Sequence, residues 1–153
     1  MASGEAEGDR WDFFVSYTQA DRQWAEWIAW TLEEAEYEVL IQAWDFVPGA
    51  NWVAGMDAGV RRAARTIAVL SAKYQESVYG TAEWQAAWAG DPLGARQKLL
   101  VARVEDCSRP GLLGQVVSFD LFGASEDVAR ERLLHAASGK RGKPAVRPAF
   151  PGN

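Results

Sequence analysis

The sequence predicts a single α/β domain, a flavodoxin-like five-stranded parallel sheet in the order 2-1-3-4-5 with helices on both faces. Short apolar segments rich in aromatic and β-branched residues alternate along the chain with segments whose apolar residues recur at helical spacing. This alternation is typical of a parallel sheet with right-handed crossovers. Five strands connected in this way favour the flavodoxin-like order.

Each element is predicted from its own pattern. The strands are expected at residues 11–17, 37–43, 66–70, 97–104 and 116–121. Helices are expected at residues 22–36, 52–64 and 81–89, with a last helix after Ser125. Asp21 is the expected N-cap of the first helix, and Ser125 that of the last. The segments 44–51, 71–80 and 105–114 are predicted as loops because they contain Pro, Gly or clustered hydroxyl residues.

The composition narrows the class of protein. The chain has 153 residues, of which 48% are hydrophobic and 24% charged, as in an ordinary soluble domain. Its net charge of −5 argues against nucleic-acid binding, which needs clustered Lys and Arg. No apolar run approaches the ~20 residues that span a bilayer, so no membrane partner is expected. A single cysteine, Cys107, excludes an internal disulfide and suits a cytoplasmic location.

The two ends of the chain differ in composition from the middle. Residues 1–10 are acidic and polar, as in a disordered leader. Residues 11–138 are predicted to form the domain. Residues 139–153 are rich in Pro, Gly, Lys and Arg, and we interpret them as a linker-like tail.

The order of the strands predicts where a site should lie. Ligands of open α/β sheets bind at the carboxyl ends of the strands, at the point where the strand order reverses. That point is beside the first and third strands, so contacts are expected from Ser16 to Asp21 and from Ser71 to Glu83. The usual dinucleotide and P-loop glycine patterns are absent from the sequence. No catalytic triad or metal-ligand cluster can be assembled around His135, the single histidine.

The motifs at these positions resemble those of the Toll/interleukin-1 receptor (TIR) domain family, of the kind found in bacteria. The resemblance rests on DFFVSY at residues 12–17 with Asp21, on Pro48-Gly49 after the second strand, and on Ser71, Tyr74, Ser77 and Glu83 in the family's S-x-x-Y-x-x-S…E pattern. It covers roughly residues 11–138. The sequence is more loosely similar to N-terminal TIR modules of actinobacterial multidomain proteins. It departs from the family at Tyr79, where many members have Trp, and at Glu36, where a glycine is expected nearby.

The resemblance implies two possible activities. Some TIR domains are NAD⁺ glycohydrolases that release nicotinamide and linear or cyclised ADP-ribose, often in bacterial immune or stress signalling, and Glu83 matches their catalytic glutamate. NAD⁺ is then a substrate, and no cofactor is expected. Others are non-catalytic adaptors that self-associate through the BB loop. The matching segment here consists of Asp45, Phe46, Val47, Pro48 and Gly49. In either case further domains are expected to follow the tail.

A single carboxylate suffices for NAD⁺ cleavage on chemical grounds. Nicotinamide leaves as a neutral molecule from a cationic pyridinium, so the general acid of ordinary glycosidases is not needed. The carboxylate has only to hold the ribose hydroxyls and stabilise the oxocarbenium-like charge. The side chains expected to contact the substrate are hydroxyl and aromatic groups near the carboxyl edge of the sheet: Ser16, Tyr17, Trp44, Trp52, Ser71, Tyr74, Ser77 and Tyr79.

Plainer interpretations stay open from the sequence. Glu83 could be a solvated glutamate favoured by the dipole of the helix N-terminus. The hydroxyls of Ser71, Tyr74 and Ser77 could serve backbone groups of the loop. Trp84 and Trp88 are expected in the core. A sensor that binds a nucleotide without turnover is a third possible function.

Overall fold

The computed structural model describes residues 10–94, 96–109 and 111–152, apart from the side chains of Val78, Tyr79 and Leu112. The predicted leader therefore lies almost wholly outside the described residues. The strands are β1 (Trp11–Ser16), β2 (Val39–Ile41), β3 (Ala63–Leu70), β4 (Leu99–Arg103) and β5 (Ser118–Asp120). The α-helices are α1 (Arg22–Glu34), α2 (Gln42–Asp45), α3 (Trp52–Arg62), α4 (Ala72–Glu76), α5 (Val78–Gly90) and α6 (Glu126–Ser138). Short 3₁₀ turns occupy Gln19–Asp21 and Gly111–Gln115.

All strand pairs are parallel, and the order β2-β1-β3-β4-β5 confirms the predicted flavodoxin-like sheet. Residues of β1 alternate between the two faces. Phe13 and Val15 face a core closed by α1 and α6. On the other face Phe14 packs with residues of α3, and a separate cluster joins β3 and β4 to α4 and α5. Ser16, two residues after Phe14, therefore faces α5.

Several predicted boundaries are wrong. The second strand ends at Ile41 because the Asp45 carboxylate accepts a hydrogen bond from the Ile41 amide and closes a helical turn, α2, where strand and loop were expected. Residues 71–80 are not a loop, since they contain α4 and the first turn of α5. The third strand begins at Ala63, three residues early, by pairing with Trp11. The fourth and fifth strands are shorter than expected.

Side chains contribute to both ends of α6. Ser125 caps α6, as predicted, by accepting a hydrogen bond from the Val128 amide at 3.3 Å. The carbonyl of Ala137 near the end of α6 accepts a hydrogen bond from Arg65, whose guanidinium lies 4.6 Å from the centre of the Phe13 ring. Gly139 then ends the helix in the left-handed conformation, with φ of 68°. Residues 140–152 form neither helix nor strand.

Glu36 follows α1 with φ of 72°, a backbone conformation that favours glycine. The glycine expected from the family pattern near this position therefore corresponds to a real left-handed turn, which this chain builds with a glutamate. Across the described residues, no helix combines the length and the apolar character needed to cross a membrane.

Candidate active site

The parallel pairing of β1 with β3 brings the predicted site together. Ser16 is the last residue of β1 and pairs with Ala68, so its side chain lies near the carboxyl edge of the sheet. The chain leaves β3 at Leu70, forms the short helix α4 and returns over the sheet as α5. Glu83 lies in the second turn of α5 and points inward beside Trp84 and Ala87, which pack in the core. The predicted positions of Trp84 and Trp88 in the core are confirmed.

Glu83 is part of a buried chain of oxygen atoms. Its Oε1 is hydrogen-bonded to Ser16 Oγ. Ser16 Oγ lies 2.8 Å from Tyr74 Oη, which in turn lies 3.1 Å from the carbonyl oxygen of Gly80. Glu83 is 5% exposed, Ser16 1% and Tyr74 0%. The interpretation of Glu83 as a solvated glutamate is therefore excluded by its burial.

Burial sets the protonation of this carboxyl group. Desolvation raises the pKa of Glu83 to about 7, and the hydrogen bond from Ser16 opposes the shift. Oε2 is buried without a hydrogen-bond partner, and none of the ion pairs among the described residues includes Glu83. Desolvation also raises the pKa of Tyr74, which keeps its hydroxyl protonated. A buried carboxyl without a cation is uncommon and marks a candidate functional group.

The hydroxyls of Ser71 and Ser77 cap helices. Ser71 Oγ accepts a hydrogen bond from the Tyr74 amide at 3.1 Å and starts α4, and Ser77 Oγ accepts one from the Gly80 amide at 3.0 Å and starts α5. These two side chains therefore serve backbone groups, and substrate contact by them stays a prediction. Ser71 also donates a hydrogen bond to the Asp21 carboxylate.

Asp21 was expected to cap the first helix with its side chain, and it does not. Its carboxylate accepts hydrogen bonds from Ser71 and from Thr18, at 3.2 Å for Thr18, and no capping bond from its side chain reaches α1. Asp21 instead connects the segment after β1 to the segment after β3, beside the Ser16 cluster.

Two of the predicted aromatic contacts, Tyr17 and Trp44, lie on the side of the sheet opposite Glu83. Tyr17 and Trp44 pack against the core on the α1 side of the sheet, and Trp44 Nε1 donates to Glu26 of α1 at 2.8 Å. Trp52 is half-buried at the first position of α3. The side chain of Tyr79 lies outside the described residues. Substrate contact by these residues stays a prediction.

The segment after β2 has an anchored part and an exposed part. Phe46 packs with Phe14 and Leu40, and a Cβ atom on Gly55 would lie 2.7 Å from its ring. The exposed part is a turn in which the Ala50 amide donates to the Val47 carbonyl at 3.0 Å. Pro48 and Gly49 occupy its centre, and the φ of 93° at Gly49 is one that glycine adopts readily. Val47 is 59% exposed.

One functional contributor was missed from the sequence. Gly80 places its carbonyl at the end of the oxygen chain, and a Cβ atom there would lie 2.9 Å from Cε1 of Tyr74. A glycine in the first turn of a helix, three residues before the candidate carboxylate, was the available signal.

Comparison with known proteins agrees with this architecture. The family description "TIR domain" matches residues 13–134. The chain therefore belongs to the TIR domain family. No curated protein matches the chain in sequence.

Solved TIR structures share the fold. The TIR domain of the Toll-related receptor TRR-2 from Hydra magnipapillata has a TM-score of 0.67 and 18% identity, over 84% of this chain and 97% of that chain. A metazoan TIR-STING receptor from C. gigas has a TM-score of 0.68 and 18% identity, over 85% of this chain and 41% of that chain. The same receptor in complex with 2',3'-cGAMP gives a TM-score of 0.67 and 20% identity, over 85% and 40%. This chain thus spans less than half of the C. gigas receptor.

Proposed function

We propose that this TIR domain cleaves NAD⁺ at the bond between nicotinamide and ribose, with Glu83 as the catalytic carboxylate. The observation that carries the proposal is the burial of Glu83 without a counter-cation, at the edge of the sheet where such folds bind ligands. Glu83 also matches the catalytic glutamate of the family's NAD⁺ glycohydrolases. A buried, unpaired carboxyl is costly to a fold, which favours a functional reason for it.

The reaction balances without a cofactor. The carbon–nitrogen bond breaks, its electron pair goes to the pyridinium nitrogen, and nicotinamide leaves neutral. The ionised Glu83 stabilises the ribosyl cation, an electrostatic contribution that is large in a low-dielectric pocket. Water then adds to the anomeric carbon and releases a proton, which gives linear ADP-ribose. Attack by an adenine nitrogen instead of water gives the cyclised product.

Substrate contact is assigned to residues near the carboxyl ends of the strands. Ser16, Ser71 and Ser77 lie on the segments that meet at this edge of the sheet. Tyr17, Trp44, Trp52 and Tyr79 offer aromatic surfaces for the nicotinamide and adenine rings. Tyr74 is fully buried, so we assign it a role behind Glu83 rather than a direct contact.

Activation by self-association is consistent with the burial of Glu83. At 5% exposure the carboxyl group cannot reach ribose hydroxyls without a rearrangement. The exposed turn at Val47, Pro48 and Gly49 offers an apolar surface to a second copy of the domain. We propose that contact with a second copy opens the edge of the sheet, in signalling by a longer cytoplasmic protein whose further domains follow the tail.

The test is nicotinamide release from NAD⁺, measured by chromatography over a range of protein concentrations. Glu83→Gln should lower release by about a hundredfold or more, because the amide cannot stabilise the cation. Glu76→Gln, which removes an exposed glutamate on the neighbouring helix α4, is the matched control and should leave release unchanged. Specific activity should rise with concentration if association activates the domain.

An adaptor function is the alternative, favoured by the 59% exposure of Val47 beside Pro48. It predicts no release by any variant, even in forcibly clustered protein, while Pro48→Ala weakens self-association. Nicotinamide release by both the wild type and Glu83→Gln would support the cleavage of NAD⁺ by this domain and refute the assignment of Glu83 as the catalytic carboxylate.

A further inference from the structure

The buried oxygen chain at Glu83 contains more contacts than its two hydroxyls can satisfy. Three contacts run in series, from Glu83 Oε1 to Ser16 Oγ, from Ser16 Oγ to Tyr74 Oη at 2.8 Å, and from Tyr74 Oη to the Gly80 carbonyl oxygen at 3.1 Å. Each hydrogen bond needs one hydrogen atom. Ser16 and Tyr74 supply one each, and a carbonyl supplies none. The third hydrogen can come only from the Glu83 carboxyl.

The two protonation states of Glu83 therefore differ in hydrogen bonding. With Glu83 neutral, its hydroxyl donates to Ser16, Ser16 donates to Tyr74, and Tyr74 donates to the Gly80 carbonyl, so all three contacts are hydrogen bonds. With Glu83 ionised, Ser16 donates to the carboxylate and Tyr74 donates to Ser16. The Gly80 carbonyl then loses its hydrogen bond from Tyr74.

We propose that Glu83 rests as a neutral carboxylic acid, and that Ser16 and Tyr74 are positioning residues which hold its proton until substrate engages the site. The inference rests on the proposed function, because it concerns the form in which the catalytic carboxylate waits. The proton leaves to water when the carboxyl ionises. The positive pyridinium of NAD⁺ then compensates for the hydrogen bond that the chain loses.

Among the described residues, no charged neighbour accounts for the protonation of Glu83. Tyr74 is the titratable side chain in contact with the carboxyl group through Ser16, and it stays neutral. Most charged side chains on the elements packed against α5 are engaged elsewhere or exposed, namely Asp12, Asp57, Arg61, Arg65, Lys73, Glu76 and Arg103. Arg62, at the end of α3, is half-buried with its Nε unpaired, and none of the ion pairs among the described residues joins it to Glu83. The burial that raises the pKa of Glu83 acts in the same direction as the hydrogen count.

The proposal makes opposite predictions for the two hydroxyls. Tyr74→Phe keeps the ring and removes the link to Gly80, so the neutral form loses its advantage and the pKa of Glu83 should fall by about half a unit to one unit. Ser16→Ala removes the donor that the charged form needs, so the pKa should rise. Burial alone predicts no fall in Tyr74→Phe.

The experiment is a pH titration of the Glu83 carboxyl carbon by ¹³C NMR, with the resonance assigned by its loss in Glu83→Gln. Tyr37→Phe, which removes a tyrosine hydroxyl on the opposite face of the sheet, is the matched control and should leave the pKa of Glu83 unchanged. A fall in the pKa of Glu83 in Tyr74→Phe, together with a rise in Ser16→Ala, supports the proposal. An ordinary pKa in the wild type, or no fall in Tyr74→Phe, overturns it.

This titration uses no substrate, so it stands apart from the test of the proposed function. If nicotinamide is not released but the titration behaves as described, Ser16 and Tyr74 do hold the proton of Glu83, and the proposed enzymatic role fails. If nicotinamide is released, the acid limb of the pH profile of kcat/KM should move to lower pH in Tyr74→Phe. An acid limb that stays in place would overturn the positioning role of Tyr74.

Discussion

Glu83 and Asp120 are two carboxyl groups near the same edge of the sheet, in opposite surroundings. Asp120 ends β5 and receives two hydrogen bonds from the Arg103 guanidinium, Nε to Oδ1 at 2.8 Å and Nη2 to Oδ2 at 3.0 Å. These bonds lower the pKa of Asp120. Burial without a cation raises the pKa of Glu83 to about 7. The fold can therefore pair a carboxylate at this edge of the sheet with an arginine, and it does not do so for Glu83.

The largest expected effect is a gain of stability in Glu83→Gln at high pH. At a pH well below 4.5, its ordinary pKa, the Glu83 carboxyl is neutral in both the native and the unfolded state, so its ionisation does not lower the free energy of unfolding. Between pH 4.5 and about 7 the unfolded chain ionises first, so wild-type stability falls as the pH rises. An amide resembles the neutral acid and can donate to Ser16. Glu83→Gln should therefore be more stable than the wild type by about 3 kcal/mol at pH 8.

Urea unfolding at pH 4.5 and pH 8 measures this difference. The gain should be small at pH 4.5, where the wild-type carboxyl is neutral in the native state and half ionised in the unfolded state. Glu76→Gln, at an exposed site, is the control for a change of net charge. A loss of stability in Glu83→Gln at pH 8 would show that the ionised carboxylate is well accommodated in the fold, and the contrast with Asp120 would disappear.

Asp120→Asn should lower the stability of the protein, by less than Glu83→Gln raises it. The substitution removes a charge-assisted pair whose Asp120 side chain is 38% exposed, so solvent screening reduces the expected cost to about 1.5 kcal/mol at pH 7. The pKa of Asp120 is lowered, so this stabilisation is complete above the ordinary value of 3.8 and is lost as the pH falls through the lower native value. Urea unfolding from pH 2 to pH 7 tests it, and a cost that persists at pH 2 would contradict the pairing.

The sequence predicted the sheet order and the meeting of Ser16 with Glu83, because both follow from the alternation of strands and helices. It did not predict the burial of Tyr74. That burial depends on α4, a helix of five residues that begins where Ser71 caps the Tyr74 amide. The hydroxyl pattern was interpreted as a polar loop, whereas Ser71 and Ser77 cap two successive helices, each by accepting a hydrogen bond from the amide three residues later.

Other features depend on contacts that a sequence pattern does not record. Position 80 requires glycine because a Cβ atom there would lie 2.9 Å from the Tyr74 ring. The displacement of Asp21 from its capping role arises from Ser71, which is distant in sequence. The aromatic residues near the site were predicted as ligand contacts from their positions alone, and Trp44 is held by Glu26 on the other side of the sheet.

The smallest expected effects come from removing two helix N-caps, one on the helix that carries Glu83 and one on a helix of the opposite face. Ser77 caps α5, which carries Glu83, and Ser125 caps α6, which packs in the core on the opposite face of the sheet. Ser77→Ala and Ser125→Ala should each cost about 1 kcal/mol in urea unfolding, because each leaves one helix amide without its partner. Only Ser77→Ala should also change nicotinamide release and the carboxyl titration of Glu83, since a frayed first turn of α5 moves the Gly80 carbonyl away from Tyr74. Equal effects of the two variants on the titration would mean that global stability, rather than the geometry of the oxygen chain, governs the protonation of Glu83.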